Sequence, residues 1–479
     1  MLDYVAQIRE RPVWQPASEA VEAAFETPLP RTAGSLSAAH DTFLQHILPY
    51  AVGNAHPGFM GWVHGGGSAV GMLAEMLAAG LNANLGGRDH IPIAVEQQVT
   101  RWMQELFQFP ETASGLFVTG SSMANFIGIL TARSAKIGTE VRATGLANIA
   151  DRLTVYTSAD AHGCIAQALE LAGIGSNQLR KVPVNQFHQM NLSDLESMIA
   201  ADKAADRIPF CVVGTSGTVD VGAIDDLAGI AAIAAREQLW FHVDGACGAL
   251  GMMSPKVAAK LRGIEKADSI ALDFHKWGQV PYDAGFILVR DSQVHYETFA
   301  SPAAYLRREE RGLAAGSPWP CDFGPDLSRS FKALKVWFTL QVYGVEKLGR
   351  MMDRTCNLAR YLADRIASTS ELELLAPVTL NIVAFRYRTP TSKSVLQCEH
   401  ERDLESEFID RLNSEIVVAV QESGIAAPSS TTINGRFAIR AAIFNHRTTE
   451  LEIDNLIGSV VRYGKLLTEN LHSKSYSPS

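Results

Sequence analysis

Short apolar runs alternate with amphipathic stretches through the middle of the chain. "GLFVTG" (115–120), "LTVYTS" (153–158), "FCVVGTSGT" (210–218), "LWFHVDG" (239–245), "SIALDFHK" (269–276) and "GFILVR" (285–290) read as strands. Between them, "SSMANFIGILTAR", "GCIAQALELAGI" and "DDLAGIAAIAAREQ" carry the helical spacing of apolar residues. Near-continuous apolar strands separated by helices imply right-handed crossovers and a mostly parallel central sheet with helices on both faces. The stretch 301–328, "SPAAYLRREERGLAAGSPWPCDFGPDLS", breaks the pattern: it is rich in Pro and Gly and weakly periodic, so it reads as one long loop. Helical signal returns at "RSFKALKVWFTLQVYG". A strand, "LNIVAFRY" (380–387), a polar connection around 388–403 and a final helix follow. Thr449 and Glu452 form a capping-box signature for that helix, and Ile453, Leu456, Ile457, Val460 and Val461 share one of its faces. The prediction is an α/β fold with three parts. An N-terminal segment covers residues 1–60, a large α/β domain residues 61–335, and a smaller C-terminal α+β domain residues 336–479.

Length and charge narrow the function. At 479 residues the chain exceeds what one core comfortably holds. Its net charge of −9 is dispersed, with no basic block to neutralise a phosphate backbone, which argues against a nucleic-acid partner. The longest apolar stretches, such as "LAGIAAIAA" (227–235), fall short of a membrane span. The first residues carry Asp3, Arg9 and Glu10 and no apolar signal core. Six cysteines lie scattered without a CxxC pair, which suits reduced thiols in the cytoplasm and no structural metal. A cytoplasmic enzyme is expected.

In sheets of this type ligands gather beyond the carboxyl ends of the strands. There the sequence places Gly120, Ser121 and Ser122 at a helix start, His162 before another helix, Asp244 after an apolar strand, and Lys276 after a second one. Each has a plain structural reading: Ser is a common helix cap, and a lone His or Asp can satisfy a buried polar group. Together they match the needs of one cofactor. Pyridoxal phosphate requires a lysine for its aldehyde, a carboxylate for its pyridine nitrogen, a phosphate site at a helix N-terminus and a flat group against its ring.

These motifs resemble the group II pyridoxal-phosphate-dependent amino-acid decarboxylases, particularly the aromatic L-amino-acid decarboxylases. The likeness runs from "HPGFMGWVHGGGSAVGMLAEML" (56–77) to "RFAIRAAIFNHRTTELEID" (436–454). "DFHKWGQVPYDAG" is similar to the family's lysine motif and brings in Asp273 and His275 beside Lys276. "FHVDGACGAL" is similar to the aspartate motif, with Asp244 and Ala246. "GTSGTVDVGAIDDL" supplies Thr218 and Asp225, "TGSSMAN" the phosphate turn, and "SADAHGCIAQAL" the ring-stacking His162. The resemblance implies fold type I and a homodimer with active sites at the subunit interface, into which the N-terminal segment packs. It also implies a mobile catalytic loop at about 301–328, whose Tyr305 returns a proton to the substrate's Cα. It assigns Trp62, His64 and Arg440 to the substrate. Two positions depart from the usual pattern: Asp273 stands where Asn is common, and Val219 follows Thr218 where a second Thr is common.

The expected reaction is decarboxylation of an L-amino acid, aromatic by resemblance, to its amine and carbon dioxide. The same cofactor shell also serves transaminases, carbon–carbon lyases and aldehyde synthases. Keeping Tyr305, which aldehyde synthases replace, favours simple decarboxylation. A more distant alternative is a metal-dependent hydrolase, since His242 and Asp244 lie two apart on a strand with His275 nearby in sequence.

Overall fold

The computed structural model describes residues 1–147, 149–301, 308–389 and 399–475, with the side chains of 399–404 and 470–475 outside the description. In chain order the strands are β1 (Phe59–Met60), β2 (Ser114–Val118), β3 (Leu153–Ser158), β4 (Leu179–Val182), β5 (Ile208–Thr215), β6 (Trp240–Asp244), β7 (Ser269–Asp273), β8 (Gly285–Val289), β9 (Leu372–Leu374), β10 (Ile382–Tyr387), β11 (Ala427–Ile433) and β12 (Arg436–Ala442). The chain divides into two compact units. One holds Met1–Gly66, Asn357–Ala376 and Asn381–Ser479, and the other Gly67–Cys356 with Pro377–Leu380.

The second unit is built on a seven-stranded sheet in the order β2-β8-β7-β6-β5-β3-β4. β4, β3, β5, β6 and β7 run parallel, and β8 alone is reversed against both of its neighbours, β7 and β2. The reversed strand follows from a short connection. Only about a dozen residues separate Asp273 from Gly285, too few for the helical crossover that a parallel neighbour needs. The inner parallel strands β3, β5, β6 and β7 are buried on both parities because both faces are covered. Every residue of β7 is buried, aspartate included. On one face the helix Ser121–Ile137 sets Ala124 and Ile127 against Leu116, Val118, Ala271 and Ile287, and Ile129 and Ala132 against Leu153, Val155 and Val213. Each fully buried Leu, Ile or Val among them stabilises the fold by about 1.5–3 kcal/mol. The start of this helix runs so close to β8 that a Cβ on Gly285 would sit 2.4 Å from Gly120 Cα. Glycine at 285 permits that approach.

The first unit carries a five-stranded sheet, β1-β11-β12-β10-β9. β11 and β12 form a hairpin closed by Asn434 and Gly435, both with positive φ (50° and 76°). Mirror-image turns of this kind match the twist of the flanking strands. The sequence pattern indicates one strand in this part; the structure adds β9, β11, β12 and the helix Glu399–Glu422. The final helix, Glu450–Ser475, opens with Glu452 Oε2 accepting from both the backbone N–H and the hydroxyl of Thr449 (2.7 and 2.6 Å). Ile453, Leu456, Ile457 and Val460 are buried, while Val461 is only half-buried.

Within 301–328, part of the stretch is anchored around Trp319, while residues 309–313 are exposed. Trp319 is buried, its indole N–H donates to Ala315 O, and the Arg308 guanidinium lies 3.5 Å from its ring centroid while pairing with Asp322 at 2.7 Å. No helix among the described residues is long and apolar enough to cross a membrane.

Candidate active site

The carboxyl ends of β5, β6 and β7 and the N-terminus of the helix Ser121–Ile137 supply one cluster of polar groups. β7 ends at Asp273 and the chain turns, bringing Lys276 Nζ back to 3.0 Å from Asp273 Oδ2. Asp273 is 2% exposed and is held on its other side by Ser121, whose backbone N–H donates to Oδ1 and whose hydroxyl donates to Oδ2, both at 2.7 Å. The helix has glycine at its N-cap and therefore no capping side chain. Asp273 takes one of the exposed donors that an N-terminus leaves without helical partners. Ser122, the next residue, is exposed.

His275 is buried beside the same carboxylate, with Nε2 3.7 Å from Asp273 Oδ1. Ala284 N–H donates to its Nδ1 (3.1 Å), so the ring proton of the neutral form sits on Nε2 and faces Asp273. Burial lowers the His275 pKa, and the ring lies 4.3 Å from that of Tyr282.

Asp244 closes β6. It is 4% exposed, with Oδ1 accepting from Ala246 N–H at 3.2 Å and Oδ2 4.0 Å from the Cys164 thiol. Two opposing influences act on the Lys276 ammonium. Burial pushes its pKa down, while Asp273, the Cys247 sulfur and Asp244 push it up, and the net result is a raised value. Lys276 is thus a largely enclosed cation, its side chain 18% exposed, held charged by the carboxylates around it. Next to Asp244 in the sheet, Thr215 Oγ1 and Ser216 Oγ are buried with no hydrogen-bond partner among the described residues.

Other residues singled out in the sequence take varied positions. His162 is exposed just before the helix Cys164–Leu171, and its Nδ1 accepts from Cys164 N–H at 3.1 Å. Thr218 is buried in a turn, where its hydroxyl accepts from Ala223 N–H. Asp225 uses one oxygen for Met190 N–H and the other for Thr215 N–H (2.7 and 2.8 Å), bracing the end of β5. Burial raises its pKa to about 6. Trp62, His64 and Arg440 belong to the other compact unit. There Trp62 is exposed and forms an aromatic group with Phe59 and His64, and Arg440 is buried on β12 with Nη1 donating to Ser429 Oγ. Tyr305 lies outside the described residues.

His242 and Asp244 do share a face of β6, but the His242 nitrogens are engaged by Ser269 Oγ (2.7 Å) and Asn125 Oδ1 (2.8 Å). No group of three His, Cys, Asp or Glu side chains among the described residues is arranged to hold a metal ion. Sequence reasoning missed Asn125, Cys164 and Cys247. Cys164 was signalled by standing two residues after His162 at a helix start, and Cys247 by standing three after Asp244.

The donor set fits pyridoxal phosphate. It offers a largely enclosed lysine, a buried carboxylate at a neighbouring strand end, buried hydroxyls without partners among the described residues at the end of β5 and a helix N-terminus with glycine at its N-cap. Comparison with known proteins agrees. Residues 21–388 match the pyridoxal-dependent decarboxylase conserved domain. An aromatic-L-amino-acid decarboxylase of Bacillus atrophaeus is 31% identical over 83% of this chain and 79% of its own. An L-2,4-diaminobutyrate decarboxylase of Rhizobium meliloti (strain 1021) is 28% identical over 90% of this chain and 83% of its own. Among solved structures, the glutamate decarboxylase domain of diaminobutyrate-pyruvate transaminase and L-2,4-diaminobutyrate decarboxylase from Vibrio parahaemolyticus superposes with a TM-score of 0.83. That domain shares 27% identity and covers 97% of this chain and 93% of its own.

Proposed function

The chain belongs to the pyridoxal-dependent decarboxylase family and decarboxylates an amino acid with pyridoxal phosphate, and we propose that Lys276, Asp244, His162 and the Gly120-Ser121-Ser122 turn hold this cofactor. The observation that carries the assignment is the partly exposed Lys276 ammonium beside the buried Asp273, under the influence of Asp244 from the adjacent strand. Bound pyridoxal phosphate supplies a carbonyl that reacts with amines and a conjugated cationic ring that accepts the electron pair left by a departing carboxylate.

The residues of the chain have separable tasks. Lys276 would be the attachment point and must give up a proton to react, a proton that Asp273, 3.0 Å away, holds on the amine. Asp244 presents an anion to the pyridine nitrogen, its carboxylate oriented by Ala246 N–H. The helix N-terminus attracts the phosphate through the helix dipole and the N–H and hydroxyl of Ser122, the Ser121 N–H being engaged by Asp273. His162 supplies the flat group. Its Nδ1 is committed to Cys164 N–H, so Nε2 carries the proton it can exchange. Asp225 braces the strand end next to Asp244, and Thr218 the turn that follows it. Tyr305 returns a proton to the substrate's Cα.

The substrate in this reading is an aromatic L-amino acid. The resemblance to the aromatic decarboxylases supports it, and the same resemblance assigns Trp62, His64 and Arg440 to the substrate. We extend the same reading to a cytoplasmic homodimer. Its active sites lie at the subunit interface, with an N-terminal segment to about residue 60 packing across it and catalytic residues in a mobile loop.

The test uses purified, cofactor-loaded protein with L-tyrosine, L-tryptophan, L-phenylalanine, L-glutamate, L-histidine and L-2,4-diaminobutyrate, scored for carbon dioxide and amine. Highest kcat/KM on an aromatic substrate is expected; a preference for diaminobutyrate or glutamate refutes the substrate class. Borohydride reduction and peptide mapping should place the pyridoxyl label on Lys276, and a label elsewhere overturns the site.

A further inference from the structure

Asp244 stands at the end of a line of buried polar groups. Trp240 Nε1 donates to Ser269 Oγ at 2.8 Å, and Ser269 Oγ lies 2.7 Å from His242 Nδ1. His242 Nε2 is 2.8 Å from Asn125 Oδ1, Asn125 Nδ2 is 3.3 Å from Cys164 Sγ, and Cys164 Sγ is 4.0 Å from Asp244 Oδ2. Strand geometry explains half of the line. Trp240, His242 and Asp244 are two apart on β6 and share a face, and Ser269 stands opposite His242 on β7. Asn125 and Cys164 come from two helices that follow β2 and β3.

The line has a direction. An indole N–H can only donate, so Ser269 Oγ accepts from Trp240 and its own proton is left for His242 Nδ1. Nε2–H of the imidazole then donates to Asn125 Oδ1, the amide N–H to Cys164 Sγ, and the thiol to Asp244. The protonation states agree. Burial drives His242 down to about 3, so the ring is neutral with one donor and one acceptor nitrogen. Burial, with Asp244 beside it, pushes Cys164 up to about 12, so the thiol keeps its proton. Space is reserved as well, since a Cβ on Gly128 would lie 2.6 Å from His242 Cε1. Ser269, His242 and Asn125 are fully buried between the sheet and a helix, where the surrounding contacts are apolar. Aliphatic side chains would fill that layer without the desolvation cost of polar groups.

We propose that Ser269, His242, Asn125 and Cys164 are positioning residues: a one-way hydrogen-bond relay that fixes the Asp244 carboxylate and sets how firmly it holds the pyridine nitrogen of the cofactor. This rests on Asp244 being the partner of that nitrogen. The relay's contact with Asp244 is the Cys164 thiol, a weak donor at long range, so Cys164 is where the relay is most open to test.

The experiment compares wild type, Cys164→Ala, Cys164→Ser and Asp244→Asn. It reads the pyridoxal phosphate dissociation constant by absorbance titration and the pH at which the visible band of the bound cofactor changes. Losing one donated hydrogen bond should weaken cofactor binding in Cys164→Ala by about three- to tenfold and move the spectral midpoint by about half to one pH unit. Cys164→Ser keeps a donor and should retain wild-type behaviour. If Cys164→Ala matches wild type, or Ser and Ala are equally impaired, the relay is refuted and the cysteine is only packing. If Asp244→Asn itself alters neither readout, the assignment of Asp244 to the pyridine nitrogen falls instead.

Discussion

Replacing Asp273 with asparagine removes a negative charge 3.0 Å from the Lys276 ammonium while nearly preserving shape. Asparagine keeps one carbonyl oxygen for Ser121 N–H, which donates to Asp273 Oδ1 at 2.7 Å in wild type. What changes is the balance at Lys276. Burial favours its neutral amine, and Asp273 is foremost among the groups that override burial. A neighbouring opposite charge at this range moves a pKa by about 1–3 units. Even an unperturbed lysine is only about one part in a thousand neutral at pH 7.4, and the raised value leaves less. Since only the neutral amine reacts with the cofactor's aldehyde, Asp273→Asn should speed uptake of pyridoxal phosphate by apo-protein about 10- to 1000-fold near neutral pH. Removing an anion next to the helix N-terminus that receives the phosphate acts in the same direction. The assay is stopped-flow mixing of apo-protein with cofactor, followed by visible absorbance from pH 6.5 to 9, with thermal melts to confirm folding. The wild-type rate should climb steadily with pH, and the variant's should level off at lower pH. A folded variant that takes up cofactor no faster than wild type refutes the view that Asp273 holds Lys276 protonated.

Two further outcomes follow from the same groups. Burial lowers His242 and His295 to about 3, below the ordinary 6.5, so both contribute stability above pH 6.5 that is lost as pH falls toward 3. Each site adds up to about 1.4 kcal/mol per pH unit in that window, and His295→Gln should make the decline in urea stability between pH 6 and 4 visibly shallower; an unchanged slope counts against the buried-neutral assignment. Tyr305→Phe should still release carbon dioxide but yield less amine in air, with aldehyde appearing in its place, and an undiminished amine yield would show that the proton comes from elsewhere.

Legibility in the sequence tracked how local the physical cause was. β3 is bounded as the pattern indicates, because Leu153–Ser158 is an unbroken buried run, and β6 to β8 differ by a residue or a few at their ends for the same reason. β4 left no signal: Leu179–Val182 holds Arg180 and Lys181 and is mostly half-buried or exposed, as an edge strand can afford to be. The hairpin β11–β12 was marked by Asn434–Gly435, yet the unbroken polar run Ser429 to Thr432 hid the period-two pattern of a strand whose one face is exposed. The same contrast runs through the site. Lys276, Asp244 and Ser121 were readable because each sits at a strand end or helix start, where a polar residue after an apolar run stands out. Asn125 and Cys164 were not, since their importance comes from contacts 117 and 80 residues away in sequence, with His242 and Asp244. His242 was noticed for the wrong chemistry. Its two-residue spacing from Asp244 reads equally as a metal pair, and only Ser269 and Asn125, one on the next strand and one on the covering helix, turn that shared face into a hydrogen-bond line toward the carboxylate. Strand periodicity thus says which side chains share a face, while the neighbouring elements decide whether that face coordinates, catalyses or orients.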